Sequence, residues 1–297
     1  PRVVGLMYVM LLVGMMGSAL VFGALLVDFT AGRLVQVIQG CAVVTIFLNL
    51  IALWKQEARR PGRSRVASPA PEMSFAEAWQ RFSEGEQALR RLLAIGLGTM
   101  AFSMSDILLE PYGGQVLGLT VASTTRLTAA LAFGSLVGFA AASWVLTRGV
   151  DALRLAALGA LLGIPAFVAV VLAAPLAAPA LFVAGTCLLG FGAGLFGHGT
   201  LTATMNLAPR SQAGLALGAW GAIQATAAGV GVAISGVLRD LINHLTPELT
   251  LPAGLSGAAR GYTGVYLLEI LLLLATLVIM LPLLRQRLPA RDATAVP

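Results

Sequence analysis

Few residues in this chain can do chemistry, so their spacing carries much of the information. In "DILLEPYGGQVLG", residues 106–118, Asp106 and Glu110 stand four apart, which puts both carboxylates on one face of a helix. Such a pair can coordinate a cation, pass a proton or neutralise a buried arginine. Arg126 follows close behind, and Asp106, Glu110 and Arg126 are expected to form one polar cluster, with a structural ion pair as its main business. Pro111, Tyr112, Gly113 and Gly114 come next. Proline disfavours helix in the residue before it, so this group predicts a tight outer turn that fixes the carboxylates.

A second cluster surrounds His198. Glycines stand at 190, 192, 194, 197 and 199, and "GAGLFG" at 192–197 matches the dinucleotide fingerprint letter for letter. That fingerprint works only between a strand and a helix N-terminus, and here it lies inside an uncharged apolar run, so no nucleotide is expected. Gly190, Gly192, Gly194, Gly197 and Gly199 read instead as a helix-packing surface or a groove for a flat ligand. His198 among them reads as a histidine bonded to a neighbouring helix, or as an axial ligand to a tetrapyrrole metal. Gly134 with Gly138, and Gly214 with Gly218, are small-xxx-small pairs that predict helix contacts. Gln224, Asn206 and Glu269 are the sparse polar groups left for a cavity. No nucleophile with its base, no metal-ligand spacing and no phosphate loop stands out, and neither an enzyme nor a bound metal ion is expected.

The elements that position these residues follow from composition. The chain is 58% hydrophobic and 11% charged, with a mean hydropathy of +0.89. Soluble domains carry about a quarter charged residues, so most of this chain belongs in a bilayer. Runs of roughly 20 apolar residues predict eight transmembrane helices, at 3–27, 34–54, 92–110, 123–146, 152–174, 177–205, 214–238 and 262–284. The fold class is all-α and membrane-integral. With Arg2 on the cytoplasmic side, 15 of the 19 Lys and Arg residues fall in cytoplasmic segments, and only Arg33, Arg239 and Arg260 fall opposite. That bias puts both ends of the chain in the cytoplasm. It also accounts for the net charge of +6 without nucleic acid.

Residues 55–91 divide two helices (1–54) from six (92–284), and 285–297 forms a cytoplasmic tail. Within the loop, the capping-box pattern at 74–77 and the spacing of Phe75, Trp79, Phe82 and Leu89 predict an amphipathic helix over 74–90. It would lie on the membrane or pack on the bundle. Two helices, a long loop and six helices match the later two-thirds of a twelve-helix, two-half transporter architecture, with the first four helices outside this sequence.

The strings "SDILLEPYGGQVLGLTVASTTRLTAALAFGSLVGF" (105–139), "GAGLFGHGTLTATMNLA" (192–208) and "GLALGAWGAIQATAAGVGVAISGVLRDLI" (214–242) resemble the PucC/LhaA family of photosynthetic bacteria. The resemblance implies a major-facilitator-like helical bundle. It also implies a role in assembling light-harvesting antenna complexes, with bacteriochlorophyll as the pigment handled. Antenna α and β polypeptides, bacteriochlorophyll synthase and reaction-centre complexes are the implied partners, in the intracytoplasmic photosynthetic part of the bacterial inner membrane. It raises the ligand reading of His198 to equal standing with the packing reading. "SWVLTRGVDALR" keeps only scattered Arg148, Gly149 and Asp151 of the transporter superfamily's loop signature, which argues against alternating-access transport. A transporter of a tetrapyrrole or other small molecule, and a passive structural subunit, are the competing readings.

The charge bias makes a direct prediction. In a cysteine-free background, Ser64→Cys is expected to react with a membrane-impermeant thiol reagent only after the cells are opened, and Ser256→Cys from outside in intact cells. The reverse pattern would overturn the orientation.

Overall fold

The computed structural model describes residues 2–54, 87–207, 213–246 and 255–285. Most of the expected 74–90 amphipathic helix lies outside the described residues, and its last residues, from Ala88, open a long apolar helix instead. The elements are α1 (Arg2–Leu25), α2 (Ala31–Leu53), α3 (Ala88–Met104), α4 (Leu109–Gln115), α5 (Val121–Thr147), α6 (Ala152–Ala173), α7 (Pro179–Leu207), α8 (Ala213–Leu245) and α9 (Ala259–Arg285). Among the described residues there is no strand. Seven spans are long and apolar enough to cross a membrane, α3 through α4 counting as one, and α1 adds the shorter apolar stretch Val9–Leu25. The chain is a multi-pass membrane protein. In lipid each span must satisfy its own backbone, which a helix does.

Helix starts are set locally. Thr30, Thr120 and Asp151 accept the backbone N–H groups of Arg33 (3.1 Å), Ser123 (3.3 Å) and Arg154 (2.9 Å), capping α2, α5 and α6. The loop between α5 and α6 uses its few polar residues the same way. Gly149 takes the left-handed conformation (φ +84°) that ends α5, Asp151 starts α6, and the Arg148 guanidinium sits 3.4 Å from the Trp144 ring centroid.

Packing runs in a chain of neighbours: α6 on α7, α7 on α5, and α5 on α1. On the other side α3 lies between α8 and α9, and α9 closes back on α6. Lipid supplies no hydrophobic drive between helices, so close van der Waals contact has to hold them. A side-chain carbon at Gly134 or Gly138 would strike the carbonyl oxygens of Cys187 and Phe191, and one at Gly190 or Gly194 those of Leu131 and Ser135. The paired residue numbers rise together, so α5 and α7 run parallel in register. The opposite face of α7 meets α6, where an added carbon at Gly192 would lie 2.8 Å from the Gly159 oxygen and one at Gly199 2.7 Å from the Ala156 nitrogen. Gly190, Gly192, Gly194 and Gly199 are therefore filled by neighbouring backbone rather than forming an open groove. Among the described residues, Gly214 and Gly218 have nothing within 4 Å of an added carbon, and α2 has no buried residue.

The Pro-Tyr-Gly-Gly turn is corrected by the structure. Ser105–Ile107 forms a 3₁₀ turn, after which the chain restarts as α4, so Pro111 falls in a first helical turn where its missing N–H costs nothing. Tyr112 is fully buried, with its ring centroid 5.5 Å from Phe182, 5.4 Å from Tyr262 and 5.5 Å from Tyr266. Burying that ring draws the segment inward, and the actual turn comes later, around Gly118 (φ +66°).

The α5–α7 contact can be tested by one substitution. Gly138→Val is expected to destabilise the protein by about 1–3 kcal/mol or more, because it meets backbone rather than a movable side chain. A melting temperature in detergent equal to wild type would contradict the contact.

Candidate functional site

The break between α3 and α4 opens a cleft of about 610 Å³ lined by Asp106, Ile107, Glu110, Gln115 and Thr124 among others. That volume lies within the roughly 300–1,000 Å³ usual for small-molecule sites. Asp106 sits in the 3₁₀ turn and Glu110 in the first turn of α4, and the structure brings both to this cleft. Glu110 Oε1 accepts a hydrogen bond of 2.5 Å from the Thr128 hydroxyl on α5. The short distance and ionisable acceptor mark a strong bond.

Arg126 does not join them. Among the described residues it makes no ion pair with either carboxylate. Residues two apart on a helix point about 200° apart, so Thr124 and Thr128 face α4 while Arg126 turns to α1. Its stem lies over Gly23, where an added carbon would come within 2.8 Å of Arg126 Cγ. The three-residue cluster expected from spacing is thus a pair of carboxylates with a threonine, and the arginine serves a different contact.

A polar seam runs from the cleft to the adjoining ends of α8 and α9. Gln115, on the cleft wall, accepts from the Tyr262 hydroxyl (2.8 Å), which in turn accepts from Arg239 (2.9 Å). The Arg239 guanidinium also lies 5.1 Å from the Tyr262 ring centroid and pairs with Asp240. Asn243 accepts the Gly261 N–H at 2.8 Å. These contacts join α4, α8 and α9 at one end of the bundle. Glu269 lies in the core, with no exposed surface and no hydrogen-bond partner for either carboxyl oxygen among the described residues.

His198 occupies a second place. Its Nε2 and the Ser143 hydroxyl share a 3.3 Å hydrogen bond between α7 and α5. Its Nδ1 is buried and has no hydrogen-bond partner among the described residues, and the Phe139 ring lies edge-on with centroids 4.1 Å apart. Beside it is a cavity of about 160 Å³ touching Leu12, Ser135, Gly194, Gly197 and Trp220. Trp220 donates to Thr200 at 3.3 Å. Thr128, Ser143, Gln115 and Tyr262 escaped the sequence reading because a lone hydroxyl or amide in an apolar helix gives no sign of which neighbour it meets.

The described residues form an all-helical, multi-pass membrane bundle with a cleft at one end, and its fold is major-facilitator-like. A bacterial homologue of the human lysosomal transporter Spinster, in an inward-facing and unoccupied conformation, has a similar fold: TM-score 0.57, 19% identity, 92% of this chain and 65% of that one. The family described as "PUCC protein" matches residues 1–288, and the chain belongs to that family. Protein PucC of Cereibacter sphaeroides is 52% identical over 98% of this chain, and Protein PucC of Rhodovulum sulfidophilum is 59% identical over 82% of it. The chain spans 62% and 54% of the length of these two curated relatives.

A double-mutant cycle separates the observed pair from the expected one. Thr128→Val with Glu110→Gln is expected to show a coupling on the order of 0.6–1.7 kcal/mol in unfolding. Arg126→Gln with Glu110→Gln should show none. Coupling in the second cycle and none in the first would reverse the assignment.

Proposed function

We propose that this chain belongs to a membrane assembly factor for bacterial light-harvesting antenna complexes, and that it presents α8 to the transmembrane helices of antenna α and β polypeptides. The observation that supports this most is the surface of α8. Among the described residues, Gly214, Gly218, Ala222, Ala225 and Gly229 are exposed along one face, and an added carbon at Gly214, Gly218 or Gly229 would have nothing within 4 Å. A strip of small residues lets a partner helix bring its backbone close, which is how helices associate in lipid. Family membership supports the antenna setting.

In this reading the work is binding and positioning, with no bond made or broken. Residues 1–54 and 92–284 belong to the two halves of a twelve-helix bundle, joined by 55–91, with both ends and the 285–297 tail in the cytoplasm. The membrane is the inner, intracytoplasmic photosynthetic one. Bacteriochlorophyll is the cofactor its clients need. Bacteriochlorophyll synthase and reaction-centre complexes are the further partners.

A transporter of a tetrapyrrole or other small molecule is the second reading, and the 610 Å³ cleft with Asp106 and Glu110 favours it. Gly218→Leu in the full-length protein separates the two. Assembly predicts an unchanged melting temperature and at least a tenfold loss of co-purifying antenna polypeptides. Retained antenna partners at an unchanged melting temperature would sink the α8 docking face. Loss of stability instead would show that α8 packs inside the full-length protein.

A further inference from the structure

We infer that His198 is a structural tether between α5 and α7, and that no tetrapyrrole is held by its imidazole. The inference bears on the pigment side of the proposed function, but it stands on the geometry of the α5–α7 contact.

A histidine that ligates a tetrapyrrole metal needs an uncovered ring nitrogen, an outer partner for its other nitrogen, and a slot for a flat macrocycle. His198 lacks the first and the third. Nε2 is engaged by Ser143 at 3.3 Å. His198 is one of the residues lining the cavity, but its Nδ1 has no open surface, so that nitrogen does not look into the space. Ligation through Nε2 would break the Ser143 bond and leave neither nitrogen with an outer partner. Ligation through Nδ1 would require opening a packed wall.

The slot is missing as well. Phe139, itself only 7% exposed, stands edge-on to the imidazole at 4.1 Å between centroids. The neighbouring cavity, at about 160 Å³, is well under the roughly 300–1,000 Å³ of small-molecule pockets. Of the glycines around His198, Gly194 lies against the Ser135 carbonyl and Gly199 against Ala156, and only Gly197 stays open, toward the small cavity, with Gln224 Nε2 4.0 Å from an added carbon. The residues here do not fit the pigment.

What they do fit is the register of the two helices. Gly134 and Gly138 meet α7 at Cys187 and Phe191, and Gly190 and Gly194 meet α5 at Leu131 and Ser135. Ser143 and His198 continue that parallel pairing just over one turn further on. Past Gly138 and Gly194 the two helices have no further pair of facing glycines, and the hydrogen bond with the Phe139 edge takes over the contact. With no glycine on α5 at that level, the contact is made by side chains, and the imidazole of His198 reaches the Ser143 hydroxyl.

The test uses the full-length protein in mild detergent, with Ser143→Ala, His198→Ala and the double variant. Each single change is expected to lower the melting temperature by on the order of 1–2 °C, and the double change no further than the larger single effect. Titrated bacteriochlorophyll should give the same absorption curve in wild type and in both single variants, whether or not any is bound. Additive melting shifts would overturn the tether. A pigment band lost in His198→Ala yet kept in Ser143→Ala would overturn the exclusion of pigment. Should His198→Ala fail to accumulate, His198→Gln takes its place under the same criteria. Failure here leaves antenna co-purification untouched, so the two proposals fall separately.

Discussion

The arrangement of this bundle depends on how closely α7 approaches α5 and α6. Helices in lipid gain little by hiding apolar surface from one another, since the lipid tails are equally apolar. Dispersion between atoms in contact has to supply the association, and it falls away within an ångström of lost contact. At Gly134, Gly138, Gly190 and Gly194 the space a side chain would need is held by the partner's carbonyl groups. Alternate faces of α7 do this on both sides, since Gly192 and Gly199 face α6. With α7 clamped, α5 and α6 are fixed, α9 has a wall to pack on, and Ser143 comes within reach of His198.

The other organising feature is the interruption at Ser105–Ile107. A continuous helix from Ala88 to Gln115 would carry Tyr112 on a different bearing. The 3₁₀ turn resets the direction, Tyr112 enters a nest of Phe182, Tyr262 and Tyr266, and its hydroxyl reaches the Val170 carbonyl at 3.4 Å. The same break leaves Asp106 and Glu110 at the mouth of a cleft. One structural event thus produces both a buried aromatic nest and a polar cleft.

A transporter-like fold with an exposed small-residue strip has two different surfaces to work with. The cleft end is braced by Gln115, Tyr262 and Arg239, which link α4, α8 and α9. Among the described residues the α8 strip has no such bracing and no neighbour across Gly214, Gly218 and Gly229. Arg148, Gly149 and Asp151 are occupied in stacking and capping at the α5–α6 turn.

Hydropathy alone located the spans to within a few residues for most of the chain, because lipid imposes a minimum apolar length that few other constraints mimic. The Gly134 and Gly138 spacing announced a close contact, since small residues four apart share a face, but it did not say which helix would fill it. Composition could not reveal that α4 is helical through Pro111-Tyr112-Gly113-Gly114. Local propensity points to a turn there, and burial of the Tyr112 ring overrides it. Nor could spacing pair Glu110 with Thr128 instead of Arg126, or His198 with Ser143, because those partners lie 18 and 55 residues apart and meet only when helix rotation is set. Periodicity determines which residues share a face; the rotation of that face, and what it meets, is decided by packing over the whole bundle.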